Sequence, residues 1–339
     1  MLRSLGVLIT VLFACAAAVI TWPGFFHLEQ RLPFTQIVAM RGLMVAAFAV
    51  LAVVFLIIAA SRRARPFAVS IAVVCVIAAV ASGVTLGIRG YGAATLPDKG
   101  EESVRVMTWN TLGNATGADS IAQTAVAMEA DIISLPETAA GVGEEVAVIM
   151  RDLGRPMWVH HEAYNEDVVD GPQAWQTTLL ISPDLGDYSV IEASDSGTTM
   201  LPSAIAMPTN GDGPIVVAAH AVAPQPQYMD AWRSDLRWLA DQCVEGNVIM
   251  AGDFNATLDH MSGLGEGDGD LGWCRDAAAE TGNGGAGTWP TSIPAVLGSP
   301  IDHVLVSSAW EVSGSIVVTN LDDAGSDHRP LVAQLEPAS

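Results

Sequence analysis

Cysteine is scarce in this sequence and thinly spread. The 339 residues include 4 cysteines, and no spacing of cysteine and histidine is typical of a zinc site, which argues against a structural zinc domain. Cys15 and Cys75 lie in long apolar runs, whereas Cys243 and Cys274 lie in the more polar remainder. The last two form either a disulfide, where that part of the chain lies outside the cytoplasm, or a pair of buried thiols.

Basic residues are also few, and they are unevenly distributed. The chain has 15 Lys and Arg against 37 Asp and Glu, a net charge of −22. Residues 1–100 hold 8 of the basic residues and two acids and carry +6, so residues 101–339 carry −28. Sequence-independent DNA binding needs a basic surface, and an acidic domain repels polyanions. The balance disfavours a nucleic-acid partner, although an acidic surface can also serve only to keep a domain soluble.

Long apolar runs are confined to the front of the chain. Residues 5–22, 37–60 and 67–88 are each long enough to cross a hydrocarbon core of about 30 Å at about 1.5 Å per residue. Arg41 is the one charged residue in them. The first run alone also fits a cleavable signal peptide, since Arg3 precedes it. The two further runs favour a three-span membrane anchor over residues 1–88.

The basic residues between the runs predict the orientation of this anchor. Residues 61–65 contain three arginines, against Arg31 alone in the loop between the first two runs. The positive-inside rule therefore places residues 61–65 in the cytoplasm and everything after residue 88 outside the cell membrane. Arg41, near the outer end of its span, is expected to extend toward the lipid headgroups. Glycines and Pro97 predict a linker over residues 89–102, followed by a separate domain over residues 103–339.

In residues 103–339, short apolar segments with strand-like patterns each adjoin one or two polar side chains. They alternate with helical patterns at residues 119–129, 142–153 and 230–242, which predicts an α/β domain. Because α/β proteins build their sites at strand ends, these polar side chains are candidate site residues. In chain order they are Asn110, Glu137, His220, Asp253, Asn255, Asp302, Asp327 and His328.

The order and spacing of these eight residues resemble the endonuclease/exonuclease/phosphatase superfamily of magnesium-dependent phosphoesterases, over about residues 103–336. The resemblance implies a four-layer α/β sandwich, with two mixed sheets packed face to face and helices outside. Each motif taken alone is equally well explained as a side-chain turn or a buried structural histidine. The sequence departs from the family pattern at Pro136, where the family commonly has Gln. Because proline lacks both the backbone N–H and the amide side chain, this departure argues against a DNA-repair function.

The resemblance implies a metal shell and a water-activating pair. Glu137 is the expected ligand of Mg²⁺, with Asp327 in the same shell and Mn²⁺ as an alternative ion. Asn110 is expected either to join that shell or to hold a phosphate oxygen. Asp253 is expected to position or deprotonate the attacking water, and Asn255 to hold the phosphoryl group.

The histidines receive complementary roles from the same resemblance. His328 is expected to donate to the phosphate or accept a proton, with Asp302 orienting its imidazole ring and raising its pKa. His220 is expected to stabilise charge that develops in the transition state. For Trp289, packing in the core is favoured over a place at the substrate mouth.

Three spans before an acidic outer domain resemble the membrane-anchored, VanJ-type members of the superfamily, which are linked to teicoplanin resistance. This resemblance implies a lipid-linked phosphate substrate, such as undecaprenyl diphosphate, at the outer face of the cell membrane. Three alternatives stay open: a phospholipid phosphodiesterase similar to sphingomyelinases, an exported nuclease, and a catalytically silent binding module. The sequence makes no prediction of the oligomeric state.

Overall fold

The structure is a computed structural model that describes residues 2–92, 96–163, 175–191 and 197–338. Its N-terminal part is helical: α1 (Leu2–Thr21), α2 (Phe34–Ala39), α3 (Arg41–Ile58) and α4 (Arg65–Arg89). Within the described residues, α1, α3 and α4 are the helices long and apolar enough to cross a membrane. The second expected span is present as α3, but it begins at Arg41 rather than at residue 37, since the chain breaks at Met40 (φ −109°, ψ 53°). Residues up to Ala39 form the separate short helix α2.

The three long helices pack on one another through small and medium side chains. Ala17, Phe48, Ile71 and Cys75 are buried between them. Large apolar side chains face outward instead, such as Ile57, which is 69% exposed. A helix bundle with an apolar exterior is suited to a hydrocarbon environment rather than to water.

The rest of the chain forms the expected α/β sandwich. In the described residues the strands make two six-stranded mixed sheets, in the orders β11-β12-β1-β2-β4-β3 and β5-β6-β7-β8-β10-β9. The strands are β1 (Val104–Thr108), β2 (Ile132–Pro136), β3 (Trp158–Ala163), β4 (Gln176–Ile181), β5 (Tyr188–Val190), β6 (Ala204–Pro208), β7 (Ile215–His220), β8 (Val248–Asp253), β9 (Arg275–Asp276), β10 (Asp302–Val306), β11 (Trp310–Val317) and β12 (Leu331–Pro337). The remaining helices are α5 (Ala118–Ala127), α6 (Ala140–Asp152), α7 (Met229–Gln242), α8 (Leu258–Met261) and α9 (Ala277–Glu280).

Alternation along the strands produces the layers of this sandwich. In β1, Val106 points into the core between the sheets, whereas Met107 packs with Ile121 of α5 on the outer side. The second sheet is covered in the same way, with Trp232 and Leu236 of α7 against the outer face of β7 and β8. Because successive strand residues point to opposite faces, each central strand is buried on both sides.

The described residues between the anchor and β1 pack against the sandwich and are hydrogen-bonded to it. The Gly284 N–H donates to the Arg89 carbonyl, and the Gly92 N–H donates to the Gly282 carbonyl. Further along, the Arg105 guanidinium donates to the Pro97 carbonyl at 2.8 Å, and Lys99 pairs with Asp131 at 2.6 Å. The predicted linker is thus fixed to the domain by its own hydrogen bonds in the part the structure describes.

Cys243 and Cys274 are joined by a disulfide, with their Cα atoms 5.7 Å apart. The bond links the end of α7 to the loop before β9, and both residues are buried. Of the two alternatives open from the sequence, the structure therefore has the disulfide.

Two glycines provide a matched test of how tightly β7 and β8 pack. Gly252 and Gly246 have the same φ of 158°. A Cβ at Gly252 would lie 1.9 Å from the Ala219 carbonyl oxygen, whereas no described heavy atom lies within 4 Å of a Cβ at Gly246. We expect Gly252→Ala to lower the free energy of unfolding by more than about 2 kcal/mol relative to Gly246→Ala. Denaturant unfolding followed by tryptophan fluorescence measures the difference, and equal losses would contradict the close approach.

Candidate active site

The eight candidate residues lie at one edge of the two sheets. Asn110 and Glu137 follow the carboxyl ends of β1 and β2, which are parallel neighbours. His220 and Asp253 end β7 and β8, also parallel, and are direct register partners. Asp302 begins β10 opposite Asp253 in the antiparallel ladder. Since the sheets pack face to face, both sets of strand ends open on the same space, and the structure brings all eight side chains together.

Asp253 is the centre of one hydrogen-bond network. Its carboxylate accepts from the side-chain amide of Asn110 at 3.0 Å and from the backbone and side-chain N–H groups of Asn255 at 2.8 and 3.2 Å. The Asn110 amide also donates to Glu137 Oε1 at 3.1 Å. Asn110 therefore bridges the two carboxylates and fixes their separation.

His328 and Asp302 form a buried pair beside this network. His328 Nδ1 lies 2.8 Å from Asp302 Oδ2, and its Nε2 lies 3.9 Å from one oxygen each of Asp253 and Asp327. The other Asp302 oxygen, Oδ1, has no hydrogen-bond partner among the described residues. The imidazole is thus held by one carboxylate and directed by its second nitrogen toward the centre of the site.

His220 faces Glu137 from the opposite side of the site. The Thr177 hydroxyl donates to the Pro202 carbonyl at 2.6 Å and so accepts from His220 Nδ1 at 3.4 Å. In the described part of the chain His220 Nε2 is buried without a hydrogen-bond partner, and it lies 4.0 Å from Glu137 Oε1. Burial, with the nearby charge of His328, lowers the pKa of His220 to about 3, so its ring is neutral.

Sequence reasoning missed the group that positions Asp327. The Trp289 indole N–H donates to Asp327 Oδ2 at 2.8 Å, whereas the sequence favours core packing for this tryptophan. The second oxygen, Oδ1, is buried and lacks a hydrogen-bond partner within the described ranges. The pattern around Trp289 contains no signal for this contact, because residues 289 and 327 meet only through the fold.

Two candidate residues adopt the left-handed backbone region. Glu137 has φ 58° and Asn255 has φ 47°, which costs a side-chain-bearing residue of this type on the order of 1 kcal/mol. Glu137 directly follows β2, and Asn255 lies two residues beyond Asp253, the last residue of β8, so the unusual conformation turns each side chain into the site. Backbone strain of this kind concentrates where a protein positions functional groups.

Burial and mutual repulsion dominate the electrostatics of the site. Burial raises the pKa of Asp253, and the neighbouring Asp302 carboxylate raises it further. Burial alone would lower the pKa of His328, but the carboxylates of Asp302 and Asp253 outweigh it and raise that pKa to about 10. Without a further cation, protonated His328 is the main positive charge facing these acids.

The donor set suits a hard divalent cation. Glu137 offers a carboxylate that is 21% exposed, and Asp327 offers an oxygen, Oδ1, without a hydrogen-bond partner among the described residues. The Asn110 amide turns its N–H groups to Glu137, while its Oδ1 accepts from the Leu112 N–H at 2.9 Å. Asp253, Asp302 and His328 also place ligand atoms within 4.8 Å of one another. In that trio Asp302 is already hydrogen-bonded to the His328 ring at 2.8 Å, an arrangement that suits proton transfer, whereas the Glu137 carboxylate could hold a cation.

A family model places this geometry among known proteins. Residues 107–328 match the model described as the Endonuclease/Exonuclease/phosphatase family, which is well over half of the chain. The chain belongs to this family. Its members are generally metal-dependent phosphoesterases. No curated protein sequence matches the chain significantly.

Solved structures show the same fold at low sequence identity. An endonuclease/exonuclease/phosphatase from Beutenbergia cavernae is 17% identical with a TM-score of 0.52, over 70% of this chain and 72% of that chain. Humanized D. rerio TDP2 is 16% identical with a TM-score of 0.53, over 70% of this chain and all of that chain. The human Nocturnin catalytic domain is 16% identical with a TM-score of 0.50, over 70% and 95% of the two chains.

The His328–Asp302 pair yields a prediction about proton binding. Burial lowers the pKa of His328, whereas the Asp302 carboxylate raises it. Asp302→Asn removes the second effect, so it should lower the pKa of His328 in metal-free protein. A histidine Cε1 proton titration by NMR, with His328→Gln to assign the resonance, measures this value. In the unaltered protein the ring should still be protonated at pH 8, and a His328 ring that is already neutral at pH 7 would contradict the assignment.

Proposed function

We propose that the protein is a membrane-anchored, divalent-metal-dependent phosphohydrolase. Its substrate in this proposal is a lipid-linked phosphate or diphosphate, such as undecaprenyl diphosphate, at the outer face of the cell membrane. The observation that carries the proposal is the convergence of eight carboxylate, amide and imidazole side chains at one sheet edge, on a chain that also has three apolar helices before this domain. The resemblance to the VanJ-type membrane-anchored members supports the same substrate class.

The proposal assigns the metal to Glu137 and Asp327. Asn110 directs its amide N–H groups at Glu137 and Asp253 and therefore positions the Glu137 carboxylate beside the ion. Mg²⁺, or Mn²⁺ in its place, would supply neutralisation of the phosphate oxygens when bound there. The network around Asn110 keeps the Glu137 carboxylate apart from that of Asp253, so that one acid remains available for the ion and the other for water.

The chain's own residues carry the proton chemistry. Asp253 orients a water molecule and accepts its proton, and its raised pKa makes it a better proton acceptor near neutral pH. Asn255, whose side-chain amide donates to the Ala221 carbonyl at 2.9 Å and to Asp253 at 3.2 Å, would exchange the longer of these bonds for one to a phosphoryl oxygen. Protonated His328, held by Asp302, donates to another and favours charge build-up there. His220, whose neutral ring donates from Nδ1 to Thr177, would act at the phosphate after gaining a second proton at Nε2, which an anionic phosphate beside it would favour.

Two further observations support an outward-facing domain. A disulfide between Cys243 and Cys274 persists in oxidising compartments and is rare in the cytoplasm. The arginine-rich residues 61–65 connect α3 to α4, at the ends of these helices opposite to Arg41 and Arg89. This end is expected in the cytoplasm, and the sandwich then lies on the other side.

The same charge pattern disfavours nucleic acid as substrate. Residues 101–339 carry a net charge of −28. A protein gains most of its affinity for a nucleic-acid backbone from Lys and Arg side chains that neutralise the phosphates. Lipid phosphates avoid this problem, because the membrane anchor supplies proximity in place of a basic surface.

The proposal predicts which acids are indispensable. Asp253→Asn and Glu137→Gln should each lower turnover by at least about 10²-fold, since each removes a group that acts at the reacting phosphate. Phosphate release from undecaprenyl diphosphate by the purified full-length protein, with Mg²⁺ or with EDTA, measures this. The exposed acids Asp268 and Glu144 provide matched controls, and Asp268→Asn and Glu144→Gln should retain full turnover.

The outcomes separate the candidate functions. Release that needs Mg²⁺, Asp253 and Glu137 supports a lipid pyrophosphatase. Hydrolysis of phospholipid diesters instead, with the same dependence, would replace it by a sphingomyelinase-like phosphodiesterase. Nicking of DNA would indicate an exported nuclease. Binding of Mg²⁺ and lipid without any product would indicate a binding module.

A further inference from the structure

Two arginines of the anchor converge on one carboxylate of the sandwich. Arg41 Nε and Nη2 donate to the two oxygens of Asp259, each at 2.7 Å. Arg89 Nη1 and Nη2 donate to the same two oxygens at 2.8 and 3.0 Å. Arg41 is 5% exposed and Asp259 12%, so the group, here called the docking triad, is shielded from water. The expected extension of Arg41 toward lipid headgroups is therefore wrong.

The docking triad is part of a wider contact between anchor and sandwich. The Gln36 side chain donates to the Pro224 carbonyl at 2.7 Å, and His260 Nε2 donates to the Thr35 carbonyl at 2.9 Å. At the start of α3, a Cβ on Gly42 would lie 2.2 Å from the Val296 carbonyl oxygen. Only a glycine permits this approach, so helix and loop are packed backbone to backbone.

All of these contacts fall on the edge of the sheets that carries the candidate active site. Pro224 follows His220 at the end of β7, and Asp259 and His260 follow Asn255 beyond the end of β8. Val296 precedes Asp302 at the start of β10. The anchor thus touches the three loops adjoining the strand ends from which His220, Asp253 and Asp302 project.

The path of the chain from α4 to β1 gives the same orientation independently. Residues 90–92 bond to the loop at 282–285 beside the anchor, whereas Ser103 bonds to Glu336 at the opposite edge, next to the start of β1. β1 then runs back for five residues, about 17 Å, to reach Asn110. The site therefore lies at the anchor-facing edge rather than at the remote one.

The loop between α1 and α2 marks the membrane surface at that edge. Trp22 and Phe25 are 48% and 81% exposed, and aromatic side chains at the ends of spans are typical of the interface between lipid and water. The same loop contacts the sandwich, since the Gln30 side chain donates to the His260 carbonyl at 2.7 Å and Arg233 donates to the Gln30 carbonyl at 2.9 Å.

From this juxtaposition we propose that the docking triad is a positioning device that holds the active-site edge against the bilayer, so that the enzyme takes its phosphate substrate from the membrane surface. The inference rests on the proposed phosphohydrolase function and adds to it the route of substrate entry. Asp259, Arg41 and Arg89 are positioning residues in this account, because they lie outside the reacting centre and act through the placement of the whole domain.

The kinetic test compares two substrates on the full-length protein in lipid vesicles. One is undecaprenyl diphosphate in the bilayer, and the other is a short-chain isoprenyl diphosphate that is monomeric in water. Arg41→Gln combined with Arg89→Gln should lower kcat/KM for the bilayer substrate by roughly tenfold or more, chiefly through KM. Turnover of the soluble substrate should stay within about twofold, which also reports that the domain is folded.

Arg62→Gln combined with Arg63→Gln is the charge-matched control at the far end of the spans and should leave both rates unchanged. Equal losses on the two substrates in the docking variant, or no loss on either, would overturn the positioning role. A wild-type protein that hydrolyses neither substrate would instead contradict the proposed function. The orientation of the active-site edge relative to the bilayer is then tested by a measurement that needs no activity.

That second measurement places one fluorescent non-natural residue at position 112 or at position 244 of the full-length protein in nanodiscs. Leu112 follows Asn110 at the active-site edge and Val244 follows α7 at the opposite edge, and the two side chains are similarly exposed, at 45% and 47%. Lipids with spin-labelled headgroups should quench the probe at 112 more strongly, and the docking variant should remove the difference. Equal quenching, or stronger quenching at 244, would overturn the inference.

Discussion

Several carboxylates lie close together at one largely buried edge of the sheets, and the rest of the site depends on how their negative charge is compensated. Asp253 and Asp302 are 1% and 2% exposed. The side-chain amide of Asn110 donates to both Glu137 and Asp253 and so bridges these two carboxylates. Several negative charges in a region of low dielectric are stable only when cations or protons share the space. His328 supplies one positive charge. The excess that remains is the physical reason to expect a divalent ion at Glu137.

The surrounding fold holds this unfavourable cluster in place. Parallel pairing of β7 with β8 fixes His220 opposite Asp253, and the Thr288 hydroxyl accepts from the backbone N–H groups of Ile301 and Asp302 at 3.1 and 3.2 Å. Trp289 holds one oxygen of Asp327 and leaves the other without a partner in the described residues. Such supporting contacts act on geometry rather than on chemistry, which is why they carry little signal in the sequence.

The sequence predicts what is local and periodic. Strand ends such as Asp253 and His220 follow from short apolar runs that stop at a polar residue, and the layer order follows from the family resemblance. The break at Met40, the docking of Arg41 and the role of Trp289 could not be predicted. Arg41 depends on Asp259, 218 positions away, and Trp289 on Asp327, 38 positions away. The break at Met40 depends on the local end of a helix, and neither hydropathy nor spacing encodes these contacts.

The central claim, that the excess negative charge of this edge binds a divalent cation at Glu137, is tested most directly by Mn²⁺ binding. Electron paramagnetic resonance of EDTA-stripped full-length protein measures the affinity without reference to any substrate. The account predicts Mn²⁺ binding that Mg²⁺ displaces and that Glu137→Gln weakens by at least about tenfold, with Glu144→Gln unchanged. Equal affinity in the Glu137→Gln variant would contradict it.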